Sequence, residues 1–266
     1  MLSDPLRPTD PAARRAAFEG LRTALGGRHR EASGAAFVPA AGSTIPTGLA
    51  ELDAALGGGF PRGIIATLEG PPGSGRSALA GRLLAAATAN GLGAAIETEG
   101  GGRLYPPALA AAGVRLERLL LVNAETPAKI ARAADIVLRS GAFAVIAIPH
   151  AVLSAAGWTR LAGLAHRTNA LVLAVGERAS NELGYFASLR IALQPARVRW
   201  AGTQQLFGTL AGIDAQALVL KHKRVAPGKT AHFSCTTFEA SGPPLTATCE
   251  RELIARDAAT RAGVAR

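Results

Sequence analysis

Gly70-Pro71-Pro72-Gly73-Ser74-Gly75-Arg76-Ser77 follows the apolar run Gly63-Ile64-Ile65-Ala66-Thr67-Leu68 and leads into an alanine- and leucine-rich stretch from Ala78 to Ala87. An apolar strand, a turn with glycines at both ends and a helix opening on a hydroxyl residue make the arrangement that cradles phosphates on backbone N–H groups. One position departs from that pattern. Where a lysine should stand before the hydroxyl residue, this chain has Arg76. Gly70, Gly73, Gly75, Arg76 and Ser77 are therefore the candidate nucleotide-binding residues of an altered loop.

Working outward, 266 residues suffice for one large α/β domain with short appendages. No apolar stretch reaches the roughly 20 residues a membrane span needs, so no membrane contact is expected. The first residues, Met1-Leu2-Ser3-Asp4-Pro5, lack the pattern of a secretory signal. Two isolated cysteines, Cys235 and Cys249, fit a reduced, cytoplasmic chain, and no Cys/His cluster has metal-ligand spacing. The net charge of +10 favours polyanionic or acidic partners over acidic-surface chemistry. Much of the excess falls late: Arg190, Arg197, Arg199, Lys221, Lys223, Arg224 and Lys229 face one acid, Asp214, between Arg190 and Thr230.

Periodicity divides the chain into three parts. Residues 1–35 hold one amphipathic helix over Pro11–Leu25, with Phe18, Leu21 and Leu25 on one face, closed by Gly26-Gly27. Residues 36–245 form the core, entered through a linker over Ser33–Pro46. Residues 246–266 are a polar helix or tail. Eight strands are expected at Ile64–Leu68, Gly93–Ile96, Leu119–Val122, Phe143–Ile148, Leu171–Val175, Leu189–Leu193, Ala217–Leu220 and His232–Thr236. Helices separate most of the early strands, which implies a mostly parallel, twisted sheet flanked by helices. The last strands lack such separators and are expected to be antiparallel.

Several stretches in order resemble the core of the RecA-family ATPases. Ile45-Pro46-Thr47-Gly48-Leu49, Leu52-Asp53 and Gly57-Gly58-Gly59 resemble the family's lead into its phosphate loop. Ala95-Ile96-Glu97-Thr98-Glu99 resembles the strand end that carries the catalytic glutamate, which makes Glu99 the candidate base. Ser140 to Ile148 resembles the Walker B strand, and Tyr185-Phe186-Ala187-Ser188-Leu189-Arg190 the end of the second DNA-binding loop. Lys221-His222-Lys223-Arg224 resembles the paired-lysine strand that reaches a neighbouring subunit's nucleotide. The resemblance implies a RecA-like P-loop core with an antiparallel extension on its C-terminal side, and ATP with magnesium as ligands. It also implies Arg178, Arg190, Lys221, Lys223 and Arg224 as DNA or partner contacts.

The departures bear on activity. Arg76 keeps the charge but replaces a compact ammonium by a broad planar fork. Pro149 stands at the Walker B aspartate position and supplies no carboxylate for a magnesium shell; His150 follows it. Glu177 occupies the position of the nucleotide-sensing glutamine. Between Ala151 and Gly157 the first DNA loop is nearly absent, and the second is compressed to Arg178–Gly184. Hydrolysis is not expected, Glu99 reads as a relic, and occupancy of the altered site by ATP and magnesium stays open.

This combination is similar to the ImuA-type, RecA-like accessory proteins of bacterial damage-inducible mutagenesis cassettes. That likeness implies a non-hydrolysing or very weakly hydrolysing adaptor in error-prone translesion synthesis during the SOS response. Its implied partners are an ImuB-type Y-family polymerase homologue, the associated error-prone polymerase, RecA and DNA, with self-association through the N-terminal helix. Two alternatives remain at this stage: an active DNA-dependent ATPase of the recombination or repair type, and a regulatory scaffold unrelated to DNA, such as a cell-division regulator.

Overall fold

A computed structural model describes residues 44–98, 104–151, 153–201, 209–223 and 225–236. All lie in the second of two units, Ala41–Arg266, into which the chain divides after Met1–Ala40. The N-terminal helix, the C-terminal helix or tail, Glu99 and Arg224 lie outside the described residues.

The entry to the core explains its own sequence. A short ladder joins β1 (Thr44–Ile45) to β2 (Phe60–Pro61), with helix α1 (Ala50–Leu56) between them. Asp53 on α1 accepts hydrogen bonds from the backbone N–H groups of Thr47 (2.9 Å) and Gly48 (3.1 Å) and from the Thr47 hydroxyl (2.8 Å). The Thr-Gly and Leu-Asp pairs are thus two halves of one turn. Leu52 of the same helix is fully buried.

The eight expected strands are all present: β3 (Ile65–Glu69), β4 (Leu92–Glu97), β5 (Leu119–Asn123), β6 (Phe143–Pro149), β7 (Leu171–Gly176), β8 (Leu189–Ala201), β9 (Thr209–His222) and β10 (Thr230–Thr236). They form one sheet in the order β10-β9-β8-β3-β7-β6-β4-β5. The pairs from β8 through β3, β7, β6 and β4 to β5 are parallel; β8–β9 and β9–β10 are antiparallel. Parallel strands covered on both faces read as unbroken apolar runs, which is why β3, β6 and β7 are so plain in sequence.

Two cores sandwich the sheet. Ala66 and Leu68 point to one, with Leu79, Leu83 and Leu84 of α2 (Arg76–Asn90). Ile65, Ile146 and Val172 point to the other, under α4 (Pro127–Arg139) and α5 (Ala155–Thr168), where Trp158 is fully buried. Helix α3 (Pro106–Ala111) sends Leu109 into the first core. The last helix, α6 (Asn181–Phe186), sends Leu183 into the second. Local sequence sets the starts of α4, α5 and α6: Thr126, Ser154 and Ser180 each accept a first-turn N–H through the hydroxyl.

Two expectations change. Strands β8 and β9 run to 13 and 14 residues, far past the short apolar segments that announced them, and form an antiparallel arm. The compressed second loop is not a loop throughout, because α6 occupies Asn181–Phe186.

Candidate nucleotide site and its surroundings

The phosphate loop sits where β3 hands over to α2, at the C-terminal edge of the parallel strands. Gly73 and Gly75 have φ of 78° and 88°, the left-handed region that side chains resist, which is the backbone form of an anion-binding turn. A Cβ on Gly73 would meet nothing within 4 Å, so the turn encloses open space. Gly75 also serves as N-cap of the 15-residue α2 without any side-chain cap. The first N–H groups of that helix are therefore left for an anion. Gly70 is held differently. Its N–H donates to the Glu177 carbonyl (2.9 Å), and a Cβ there would lie 2.2 Å from the Leu193 carbonyl oxygen.

A cleft of about 180 Å³ opens beside this turn, lined by Arg76, Ser77, Glu97, Leu104, Pro149 and Gly176 among others. The phosphate part of a nucleotide fits the residues present: an uncapped helix start, two glycines in the left-handed region and a cation. Among the described residues magnesium is poorly provided for. Ser77 offers an exposed hydroxyl, but Pro149 puts a ring where a carboxylate is needed. The acid that lines the cleft, Glu97, accepts the Leu104 N–H. Among the described residues no group of three potential ligands could hold a metal ion.

His150, next to Pro149, lies flat against Gly176: a Cβ on that glycine would sit 2.3 Å from the imidazole Cγ. Burial pushes the imidazole below its ordinary range, partly opposed by backbone groups at Arg178 and Ala174 and by the Glu69 carboxylate. Neither ring nitrogen has a well-formed hydrogen bond, so the ring is held by packing. It acts as a wedge.

Below the loop lies a buried clamp that sequence reading missed. Glu69, the last residue of β3, is 6% exposed. Arg190 of β8 donates to it twice, from Nε at 2.8 Å and from a terminal nitrogen at 3.0 Å. The Thr67 hydroxyl (2.8 Å) and the Ala179 N–H (3.1 Å) complete the set. Burial alone would raise the Glu69 carboxyl; the Arg190, Ala179 and Thr67 hydrogen bonds outweigh it and hold the carboxyl below its ordinary value. The clamp ties the strand entering the phosphate loop to the turn after β7. A carboxylate ending an otherwise apolar strand was the available signal.

The four candidate contact residues among those described, Arg178, Arg190, Lys221 and Lys223, do not form one patch. Arg190 is committed to Glu69. Arg178 is exposed in the turn after β7, on the phosphate-loop side. Lys221 and Lys223 lie towards the opposite edge, since Lys221 pairs with Arg190 and His222 with Leu189 at the start of β8. Through the β3–β8 register these levels fall two to four residues before Glu69, roughly 7 Å for Lys221 and roughly 13 Å for Lys223. These lysines are therefore turned away from their own chain's phosphate loop. Lys221 donates to the carbonyls of Gly184 and Tyr185, both 3.0 Å, and closes the C-terminus of α6. Lys223 is exposed. A pocket of about 570 Å³ opens between these lysines and the start of β3.

Comparison with known proteins bears on the core. Residues 38–163 match the model of the RecA N-terminal domain. Protein RecA of Picosynechococcus sp. is 39% identical over 107 residues, covering 40% of this chain and 30% of that protein. Protein RecA of Methylococcus capsulatus is 27% identical over 227 residues, covering 71% of this chain and 64% of that one. The chain thus spans about a third of the first curated relative it matches. A crystal structure of the RadB recombinase aligns with a TM-score of 0.58 at 20% identity, over 73% of this chain and 96% of that one. Residues 38–163 are thus similar to the RecA N-terminal domain, and the fold is RecA-like.

Proposed function

We propose that this chain is a RecA-like protein of the bacterial DNA-damage response that works without turning over ATP, as an adaptor of the ImuA type in error-prone translesion synthesis. One observation carries the reading. The cleft keeps the phosphate cradle and a cation, yet has a proline in place of the acid that would hold magnesium. Phosphoryl transfer depends on placed charge, and losing one such group typically costs about 3 kcal/mol of barrier. The second loop supports the same reading, because it is folded as α6 and fastened by Ser180 and Lys221 rather than left long and free for strand exchange. Its partners are an ImuB-type Y-family polymerase homologue and the error-prone polymerase beside it, with RecA and DNA as further contacts in the cytoplasm.

The test is phosphate release from ATP with and without single-stranded DNA, in parallel with calorimetry of ATP and a non-hydrolysable analogue. No DNA-stimulated release is expected, and Glu99→Gln leaves the background unchanged. Stimulated release abolished by Glu99→Gln overturns the adaptor reading in favour of a DNA-dependent ATPase. That rival draws on Glu97, the acid lining the cleft with Ser77. A regulatory scaffold unrelated to DNA predicts no salt-dependent oligonucleotide binding, whereas phosphate contacts give affinity that falls steeply with salt.

A further inference from the structure

A second cavity is larger than the nucleotide cleft. It holds about 570 Å³ at the opposite edge of the sheet, between the start of β3, the C-terminal end of α5 and the end of β9. Its floor is apolar, from Ile64, Ala162 and Phe186, and its rim carries His166, Tyr185 and Lys223. No aspartate or glutamate lines it. Tyr185 is 77% exposed and stands edge-to-face on Phe186, ring centroids 5.1 Å apart. Two of the last carbonyls of α5, those of His166 and Ala165, are engaged by the N–H groups of Asn169 and Ala170.

We propose that this pocket is a docking site for an acidic peptide segment of a partner protein, one that inserts an apolar side chain and sets a neighbouring carboxylate against Lys223. The inference rests on the adaptor reading and gives it a surface. Charge complementarity selects the occupant: a chain of net charge +10 presents an acid-free mouth with an exposed ammonium at its rim. The chemistry favours peptide over nucleic acid. A phosphate backbone is tracked by several cations along a groove, and here Lys221 is already spent on the carbonyls of Gly184 and Tyr185. Edge-to-face packing also keeps Tyr185 and Phe186 from offering two parallel faces to stacked bases. A cavity lined by Ile64, Ala162 and Phe186 with the exposed Lys223 beside them suits a leucine or phenylalanine next to an aspartate.

The experiment is fluorescence anisotropy on the full chain with three labelled probes: a short peptide of two aspartates followed by leucine and phenylalanine, its asparagine counterpart, and an oligo-dT single strand. The acidic peptide is expected to bind at least tenfold more tightly than the asparagine peptide. Ala162→Trp, which fills the pocket from α5 without altering charge, abolishes binding, and Lys223→Glu weakens it about tenfold. Circular dichroism confirms that both variants fold, and Tyr185→Ser, at an exposed position, gives an independent loss of several-fold. Failure of the acidic peptide to bind, or binding unmoved by Ala162→Trp and Lys223→Glu, overturns the proposal. Oligo-dT binding lost in the same variants while the peptide stays unbound also overturns it, and assigns the pocket to nucleic acid. Phosphate release decides the adaptor reading separately, so the two can fail independently.

Discussion

Replacing Arg190 by methionine would strand the Glu69 carboxylate, 6% exposed, without its counterion. Breaking one side of a buried pair usually costs about 3–5 kcal/mol, because the remaining charge has lost its solvation twice over. Urea unfolding of Arg190→Met should show a loss of that size, and adding Glu69→Gln should recover more than half of it. The pair also sets an acid limit. Glu69 is held below its ordinary value, so its contribution is complete above the unfolded carboxyl's range, near pH ~4.3, and fades as pH falls through the folded value. The double variant should lose that acid-side slope and otherwise keep the wild-type profile. At the neighbouring wedge, Gly176→Ala places a methyl 2.3 Å from the His150 ring and should destabilise the chain by about 2 kcal/mol. His150→Ala in the same chain should relieve most of that loss, which a double-mutant cycle reads directly. Additive effects would show that the glycine is required for some other reason.

At the scale of the element, α6 is the informative piece. Six residues with a glycine among them cannot hold a helix by propensity. Two fastenings do it: the Ser180 hydroxyl at the start and the Lys221 ammonium on the carbonyls of Gly184 and Tyr185 at the end. Lys221→Met removes two hydrogen bonds worth about 1 kcal/mol each. Hydrogen exchange at the amides of Gly184 and Ala187 should then accelerate at least tenfold, while Lys223→Met leaves it unchanged. An equal effect from both lysines would mean that general charge, not the two carbonyl contacts, holds the helix. These contacts also show what the amino-acid order could and could not reveal. Strands buried on both faces, such as Phe143–Pro149, announce themselves as apolar runs. Strand β8 does so only as far as Leu193, because beyond it the strand becomes an arm with the exposed Arg197 and Trp200, broken by register shifts around Pro195 and Arg199. The phosphate loop was legible because its residues are contiguous. The Glu69–Arg190 clamp joins positions 121 apart, and nothing local in either segment reports the other. Arg190 and Lys221 read as a basic contact surface in sequence for the same reason: their charges are visible there, their internal partners are not.

Across the whole molecule, the sheet keeps two opposed ends with different fates. Its C-terminal edge has the phosphate cradle without the magnesium acid, and its opposite edge has the larger pocket with basic residues at its mouth. If the cradle still receives phosphates, ATP binds through the backbone N–H groups of the loop, the start of α2 and Arg76. Binding to the folded state raises stability by RT ln(1 + [L]/Kd), about 2.7 kcal/mol at a hundredfold excess over Kd. An intact site of this architecture gains much of that affinity from a magnesium ion bridging the phosphates, so chelation collapses the shift. Here Pro149 leaves the ion no carboxylate at that strand end, so the same rise in thermal midpoint should appear with magnesium and with EDTA. Inorganic triphosphate should reproduce most of the rise, because the cradle contacts phosphate rather than base. Arg76→Ala should reduce it, since the Arg76 guanidinium lines the cleft. A midpoint that rises only with magnesium would instead require an acid elsewhere in the cleft, and would return this chain to the company of working ATPases.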